Sequence, residues 1–210
     1  MELLFIRHAL PMHVDNTATG KVADPPLSDL GRRQAWILAN WLAGTLPGGP
    51  PKEDINAIYS SPLTRALETA DPLSKILDCQ VNVDIGFAEY DAQETEYIPL
   101  EALKASKDPR WVELISEKAI PDMATFQKKV TNSVEKIIIR HPGQRVVIVC
   151  HGGVIGAYLA HILNIGRILF FEAKYTSINR VLAATTGERT ISSINELAHL
   201  QVSQVPLYKN

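Results

Sequence analysis

The sequence predicts an α/β fold: a three-layer α/β/α sandwich with a mostly parallel sheet. Short apolar runs alternate with longer segments of helical periodicity, which is typical of a sheet covered by helices. The run "QRVVIVCHGG" at 144–153 is the strongest buried-strand signal in the chain, and it ends in two glycines. The length of 210 residues and an apolar fraction of 46% fit one domain with an elaboration.

The first half of the chain predicts two strands and two helices. Residues 2–7 are expected to form a buried strand, followed by a loop that runs to "ADPPL". Ser28 is a suitable N-cap for the next segment, whose apolar residues recur at helical spacing until Gly44. A second strand is expected at 55–61.

A second helix is expected directly after that strand. Ser61 is in position to cap it, and Pro62 would occupy its first turn, where a missing N–H costs nothing. A short third strand is expected at 80–85.

Residues 90–123 interrupt this alternation, because they are polar and mixed in charge. We expect a single domain over 1–210 in which about 90–123 form a small cap of short helices and loops. The pattern then predicts a helix over 125–140, the strand 145–150, a helix after His151, and a strand pair over 178–195.

Composition excludes several classes of protein. A net charge of −2 argues against a nucleic-acid binder with a broad basic surface. No stretch approaches the roughly 18 apolar residues of a membrane span, and the first residues lack the basic start of a signal peptide. Two cysteines without metal-binding spacing predict reduced thiols. We therefore expect a cytoplasmic monomer or small homo-oligomer, without a metal or cofactor.

Unusual residues follow three of the predicted strands. Arg7 and His8 end the strand at 2–7, and Arg65 lies one turn into the helix after the strand at 55–61. His151 ends the strand at 145–150, before Gly152. If these strands are parallel, all of these residues meet at one edge of the sheet, where ligands bind in such folds. A helix N-terminus at the same edge favours an anion.

This set of residues is suited to phosphate chemistry. Two guanidinium groups can hold phosphate oxygens, and a neutral imidazole can accept the phosphoryl group covalently. Nearby cations lower the pKa of a histidine, which keeps a nitrogen lone pair free at neutral pH. No carboxylate cluster with Mg²⁺ spacing accompanies these residues, so the sequence predicts no metal.

Four motifs, "IRHALP", "YSSPLTRALETA", "FAEYDA" and "VCHGG", stand in this order along the chain. Together they resemble the histidine phosphatase superfamily, the phosphoglycerate mutase-like family, whose usual first motif is Arg-His-Gly. The similarity extends over "DPPLSDLGRRQA" near the start and "SINELAHL" near the end.

The resemblance implies a role for each matching residue. His8 would be the nucleophile that becomes phosphohistidine, and Arg7, Arg65 and His151 would hold the transferring phosphoryl group. Gly152 would add a backbone N–H. Glu89 falls where the family's proton donor usually lies, and it would protonate the leaving oxygen and then activate water.

The chain departs from the family pattern at two places. Ala9 replaces the usual glycine, which would strain the backbone if φ is positive there and would be harmless if φ is negative. The stretch after Glu89 lacks the usual glycine and tryptophan and instead carries Asp91, Glu94 and Glu96. Asp91 or Glu94 could replace Glu89 as the proton donor.

The sequence thus predicts a metal-independent phosphatase that hydrolyses a small phosphate monoester through a phosphohistidine. Phosphoglycerate mutase activity is the alternative within the same chemistry, and the acidic stretch after Glu89 favours hydrolysis. A non-catalytic phosphate- or phosphopeptide-binding module is the alternative from another class. Tyr90, Tyr97, Arg110 and Trp111 are candidates either for substrate contact or for ordinary packing of the cap.

Overall fold

A computed structural model describes residues 1–116, 120 and 122–208. The strands are β1 (Glu2–Arg7), β2 (Val14–Asp15), β3 (Ala57–Ser60), β4 (Val81–Val83), β5 (Glu96–Tyr97), β6 (Arg145–Cys150), β7 (Ile178–Ala183) and β8 (Arg189–Glu196). The α-helices are α1 (Asp29–Leu42), α2 (Thr64–Leu77), α3 (Leu100–Ala105), α4 (Arg110–Leu114), α5 (Met123–Arg140), α6 (Gly152–Leu163) and α7 (Ala198–Val202).

The central sheet has six strands in the order β4-β3-β6-β1-β7-β8. The first four are parallel, whereas β7 pairs antiparallel with both β1 and β8. The predicted strand pair near the end of the chain is therefore an antiparallel extension of a parallel sheet. The carboxyl ends of β1, β3 and β6 lie side by side at one edge of the sheet.

Helices cover both faces of the sheet because the apolar strand residues alternate between two cores. Phe5 and Ile148 pack on one face with residues of α5 and α6. Leu4, Ile58 and Val147 pack on the other face with residues of α1 and α2. The predicted three-layer α/β/α sandwich is confirmed.

The start of α2 differs from the prediction. The helix begins at Thr64 rather than after Ser61, and Leu63 is its N-cap without a side-chain hydrogen bond. The carboxylate of Asp24 instead accepts the Thr64 backbone N–H at 2.9 Å and the Thr64 hydroxyl at 2.6 Å. This cap comes from 40 residues away along the chain, so no local pattern could have predicted it.

The segment predicted as a cap contains α3, α4 and β5, of which β5 pairs with β2 in the loop that follows β1. Residues 117–119 and 121 of the predicted range lie outside the described part of the chain. The β2–β5 pair ties the segment to the loop that begins at Ala9. We propose that residues 90–116 act as the cap of a single domain.

None of the helices in the described ranges is both long enough and apolar enough to cross a membrane.

Candidate active site

The three strand ends meet around a pocket of about 300 Å³. Its lining includes each of the sequence-predicted site residues: Arg7, His8, Arg65, Glu89, His151 and Gly152. The parallel arrangement of β1, β3 and β6 produces this convergence, since each strand delivers its last residues to the same edge.

His8 is buried, with 2% of its surface exposed, and its ring is fixed by one backbone contact. Nδ1 lies 2.8 Å from the carbonyl oxygen of Ala9. A carbonyl oxygen only accepts, so Nδ1 donates a proton in this bond and the lone pair of the neutral ring is on Nε2. Burial lowers the pKa of His8 well below its usual value, and the nearby charges of Arg65 and Arg7 lower it further. The ring is therefore neutral at pH 7.

The two arginines are held in place by protein groups on one side. Arg7 donates from Nη1 to the carbonyl oxygen of Ala173 at 2.7 Å and stacks 4.0 Å from the ring centre of Tyr175. Arg65 lies 4.5 Å from the ring centre of Tyr97. The Nε atoms of both arginines are buried and have no hydrogen-bond partner within the described residues. An anion in the pocket would meet donors that the protein itself leaves unsatisfied.

His151 is held by a residue to which the sequence assigned another role. Its Nε2 lies 2.7 Å from the hydroxyl of Ser61, the residue predicted to cap α2. Nδ1 of His151 is buried without a hydrogen-bond partner in the part of the chain that the structure describes. Burial and then the charge of Arg65 lower the pKa of His151 well below its usual value. The pairing of β3 with β6 places Ser61 beside this ring. The expectation that these two strands end side by side was therefore the signal from which the contact between Ser61 and His151 could have been predicted.

Glu89 is 8% exposed and is bound to the start of α6. Its carboxylate accepts the Gly153 N–H at 2.8 Å and the Tyr90 N–H at 3.1 Å. Burial, together with the negative charge of Asp91, raises the pKa of Glu89 to about 7. A carboxyl group with this pKa exists in both protonation states near neutral pH.

The two glycines that open α6 differ in what surrounds them. A Cβ on Gly153 would lie 2.4 Å from Oε1 of Glu89 and 2.7 Å from the ring of Tyr90, whereas a Cβ on Gly152 would have nothing within 4 Å. Gly153 is therefore the position at which only glycine fits. The sequence prediction selected Gly152 and gave Gly153 no role of its own toward Glu89.

The backbone after His8 is fixed by contacts that resolve the question about Ala9. The φ angle of Ala9 is not positive, so alanine causes no strain there. Its N–H donates to the hydroxyl of Thr69 at 2.9 Å, and its side chain packs with Leu27 and Ala35. The replacement of glycine at this position therefore gives no ground for expecting loss of activity.

The other candidates divide between pocket and surface. Tyr90, Tyr97 and Asp91 line the pocket, and Asp91 lies 3.3 Å from Nη2 of Arg65. The remaining four candidates are absent from the lining of the pocket: Glu94, Glu96, Arg110 and Trp111. Thus only one of the three acids after Glu89 faces the site.

Comparison with known proteins agrees with this geometry. Residues 3–197 match the histidine phosphatase superfamily (branch 1). The chain belongs to this superfamily. The match covers all three strand ends and Glu89, so the resemblance predicted from the four motifs is confirmed.

Two relatives resemble the chain over its whole length or over most of it. Phosphoserine phosphatase 1 of Hydrogenobacter thermophilus is 27% identical over 220 residues, which cover 100% of this chain and 99% of that protein. Phosphoglycerate mutase-like protein 4 of Arabidopsis thaliana is 29% identical over 168 residues, 73% of this chain and 67% of that protein.

Among solved structures, phosphoserine phosphatase from Entamoeba histolytica in complex with 3-phosphoglyceric acid superposes with a TM-score of 0.70. It is 25% identical, and the alignment covers 95% of this chain and 98% of that one. The predicted fold class and the predicted class of enzyme, a phosphatase of the histidine phosphatase superfamily, are confirmed.

Proposed function

We propose that the protein hydrolyses a small phosphate monoester without a metal, and that the phosphoryl group passes through a covalent bond to Nε2 of His8. The observation that carries this proposal is that His8 and Glu89 line one pocket together with two arginines, while the bond from Nδ1 of His8 to a backbone carbonyl leaves the lone pair on Nε2. A neutral imidazole with a free lone pair lies beside a carboxyl group whose pKa is about 7. These are the states that a nucleophile and a proton donor need at neutral pH.

In the first step Nε2 of His8 attacks phosphorus and the bond to the alcohol oxygen breaks. The hydrogen bond between Nδ1 and the Ala9 carbonyl oxygen keeps the ring oriented and stabilises the positive charge that forms on it. The protonated carboxyl of Glu89 gives its proton to the alcohol oxygen, so the alcohol leaves uncharged.

Arg7, Arg65 and His151 bind the phosphoryl oxygens during this transfer. The positive charge of the two arginines and the N–H groups of all three residues replace the stabilisation that a metal ion gives in other phosphoryl-transfer enzymes. The Ser61 hydroxyl accepts the Leu63 N–H at 3.3 Å, which leaves its own proton for Nε2 of His151. Nδ1 of His151 is then an N–H donor toward the phosphoryl group.

In the second step Glu89 acts as a base. Its carboxylate takes a proton from water, the hydroxide attacks the phosphohistidine, and the bond between phosphorus and Nε2 breaks. Phosphate leaves, and both side chains return to their starting protonation states. The site requires no co-reactant other than water.

A rapid-quench mass measurement tests the covalent step. Wild type is mixed with a panel of small phosphate esters, and His8→Ala is run in parallel. We expect a phosphate adduct on His8 that forms and decays as product appears, and no adduct in the variant. A wild type that binds phosphate but forms no adduct and releases no product would favour the binding-module alternative.

A second assay separates hydrolysis from mutase activity. Interconversion of 3-phosphoglycerate and its isomer is measured with and without a bisphosphate primer, and release of inorganic phosphate is measured in the same samples. We expect phosphate release without rapid interconversion.

The cytoplasmic location and the monomeric or small oligomeric state stay predictions.

A further inference from the structure

Beyond its phosphate-binding end, the pocket is bounded by two apolar walls. The cap segment supplies the first wall, formed by Ile98, Leu100, Leu114 and Ile115. The segment after α6 supplies the second, formed by Leu169, Phe170 and Phe171. The rings of Phe170 and Phe171 pack together with their centres 5.1 Å apart. With the phosphoryl group at His8 and the two arginines, as proposed above, the leaving alcohol would contact the remaining lining, in which these apolar residues predominate.

The charged groups in this outer part already have protein partners. The carboxylate of Glu172 lies 2.5 Å from Nζ of Lys104 and 2.7 Å from Nζ of Lys174. Asp91 is paired with Arg65. Arg167 is exposed, and it too has an interaction partner. A second charged group on a substrate would have to compete with one of these existing partners.

A charged leaving group would also lose water without gaining a partner. Placing a carboxylate or an amine against apolar side chains carries a large desolvation penalty unless it is paired. An apolar group in the same place gains from the removal of its surface from water. The cavity volume of about 300 Å³ is at the lower end of the range for small-molecule sites, which leaves room for a modest alcohol beside the phosphate.

We propose that the substrate is the phosphate monoester of an uncharged, largely apolar alcohol. This inference rests on the proposed phosphatase function and narrows it to a substrate class. It differs from the activities named for the relatives above, phosphoserine phosphatase and phosphoglycerate mutase-like, whose names point to substrates with a second charged group. The walls from the cap segment and from residues 169–171 are the specificity determinants.

The first test compares three esters of aliphatic alcohols on the wild-type enzyme: 2-phenylethyl phosphate, O-phosphoserine and 3-phosphoglycerate. All three have alkoxide leaving groups, so the comparison reports mainly on binding of the alcohol. We expect kcat/KM for 2-phenylethyl phosphate to exceed that of either charged ester by about tenfold or more. An equal or higher value for O-phosphoserine or 3-phosphoglycerate would overturn the proposal.

A variant tests whether the wall formed by residues 169–171 causes the preference for an apolar alcohol. Leu169→Asn has nearly the same shape but is polar, and Leu182→Asn is the matched control on β7, 46% exposed and outside the pocket lining. We expect Leu169→Asn to lower kcat/KM about tenfold for 2-phenylethyl phosphate and less than about threefold for O-phosphoserine. Equal losses for both esters would contradict the inference. The wild-type ratio decides the question even if a variant fails to fold.

The two proposals fail in different ways. If no ester is turned over and His8 carries no phosphate, the proposed function is wrong. If His8 is phosphorylated but the charged esters are preferred, only the substrate class is wrong.

Discussion

Charged side chains collect at both ends of the parallel strands, but they are paired in different ways. At the amino end, Glu2 and Glu53 each contact both Arg145 and Arg180, at distances from 2.6 to 3.2 Å. Arg180 is also paired with Glu196 at 2.9 Å. Acids and bases therefore neutralise each other within this network.

At the carboxyl end, two arginines and two histidines face one pocket. Arg7 and Arg65 each touch a carboxylate at one edge of the guanidinium, while their Nε atoms and Nδ1 of His151 have no partner in the described part of the chain. Groups that repel one another are held together by the surrounding fold, at a cost in stability. The comparison distinguishes charges that are neutralised within the fold from charges that are gathered at a pocket, as the proposed phosphate site requires.

The largest effect is expected at Glu89, the proposed proton donor in the pocket at the carboxyl end of the parallel strands. Glu89→Gln keeps the shape and one hydrogen-bond acceptor but has no proton to transfer, so kcat should fall by about 10²–10⁴ for an alkyl ester. Steady-state rates give the fall in kcat, and rapid-quench rates of adduct formation on an alkyl and a nitrophenyl phosphate isolate the first step. The loss in adduct formation should be smaller for the nitrophenyl ester, whose alcohol leaves without help, and an equal loss would argue against the acid role.

The wild-type enzyme should show the titration of the same group. Glu89 has a pKa of about 7, so kcat/KM for an alkyl ester should decline as the pH rises above about 7 and the carboxyl loses its proton. His8 stays neutral to well below pH 6.5, so it sets no limit above that value. A pH profile of Glu89→Gln should lack the alkaline decline. If the variant keeps it, another group is the acid.

A matched pair of arginine substitutions compares the carboxyl end of the parallel strands, where Arg65 lies, with the amino end, where Arg180 lies. Arg65→Lys keeps the charge but loses the planar fork, so transition-state stabilisation should fall by roughly 2–4 kcal/mol. Arg180→Lys should leave kcat/KM within about threefold and lower the free energy of unfolding by about 1 kcal/mol. Kinetics and urea unfolding of both variants measure this. An Arg65→Lys enzyme within a few-fold of wild type would remove Arg65 from the site.

The two glycines of α6 offer a smaller effect with a close control. Gly153→Ala places a methyl group against Glu89 and Tyr90, which should displace the carboxyl and lower kcat by about 10–100-fold. Gly152→Ala meets nothing within 4 Å and should stay within about threefold of wild type. Similar rates for the two variants would mean that the position of Glu89 is not critical.

The smallest effect is expected at Asp91, whose carboxylate contacts Arg65 and whose charge acts on Glu89. Its charge raises the pKa of Glu89, so Asp91→Asn should move the alkaline decline to lower pH, by less than about one unit. The same change frees Nη2 of Arg65 and should strengthen inhibition by inorganic phosphate. An unchanged pH profile together with unchanged phosphate inhibition would show that the pair with Arg65 has no influence on the site.

Much of the fold and the center of the site follow from local patterns in the sequence. The buried runs at 2–7 and 145–150 predicted the central strands, because an apolar segment of that length finds burial in a covered sheet. The rule that parallel strands bring their carboxyl ends together then placed Arg7, His8, Arg65 and His151 at one pocket. The structure brings these residues to one pocket.

Other features depended on contacts between distant segments. The partner of Ser61 is His151, 90 residues away, and the cap of α2 is Asp24 from the loop after β1. A polar side chain at a strand end binds whichever group the neighbouring strand presents. Its local spacing to the next helix predicted a cap and gave the wrong partner.

The sequence by itself determined the mostly parallel sheet covered by helices and the identity of the charged residues that line the pocket at its carboxyl edge. Only the tertiary structure decided their chemical state. Burial and the charge of Asp91 raise the pKa of Glu89, the carbonyl of Ala9 fixes the tautomer of His8, and apolar residues from two separate segments line the rest of the pocket. Desolvation and hydrogen-bond partners arise from neighbours far apart in the chain, and a linear pattern carries no record of them.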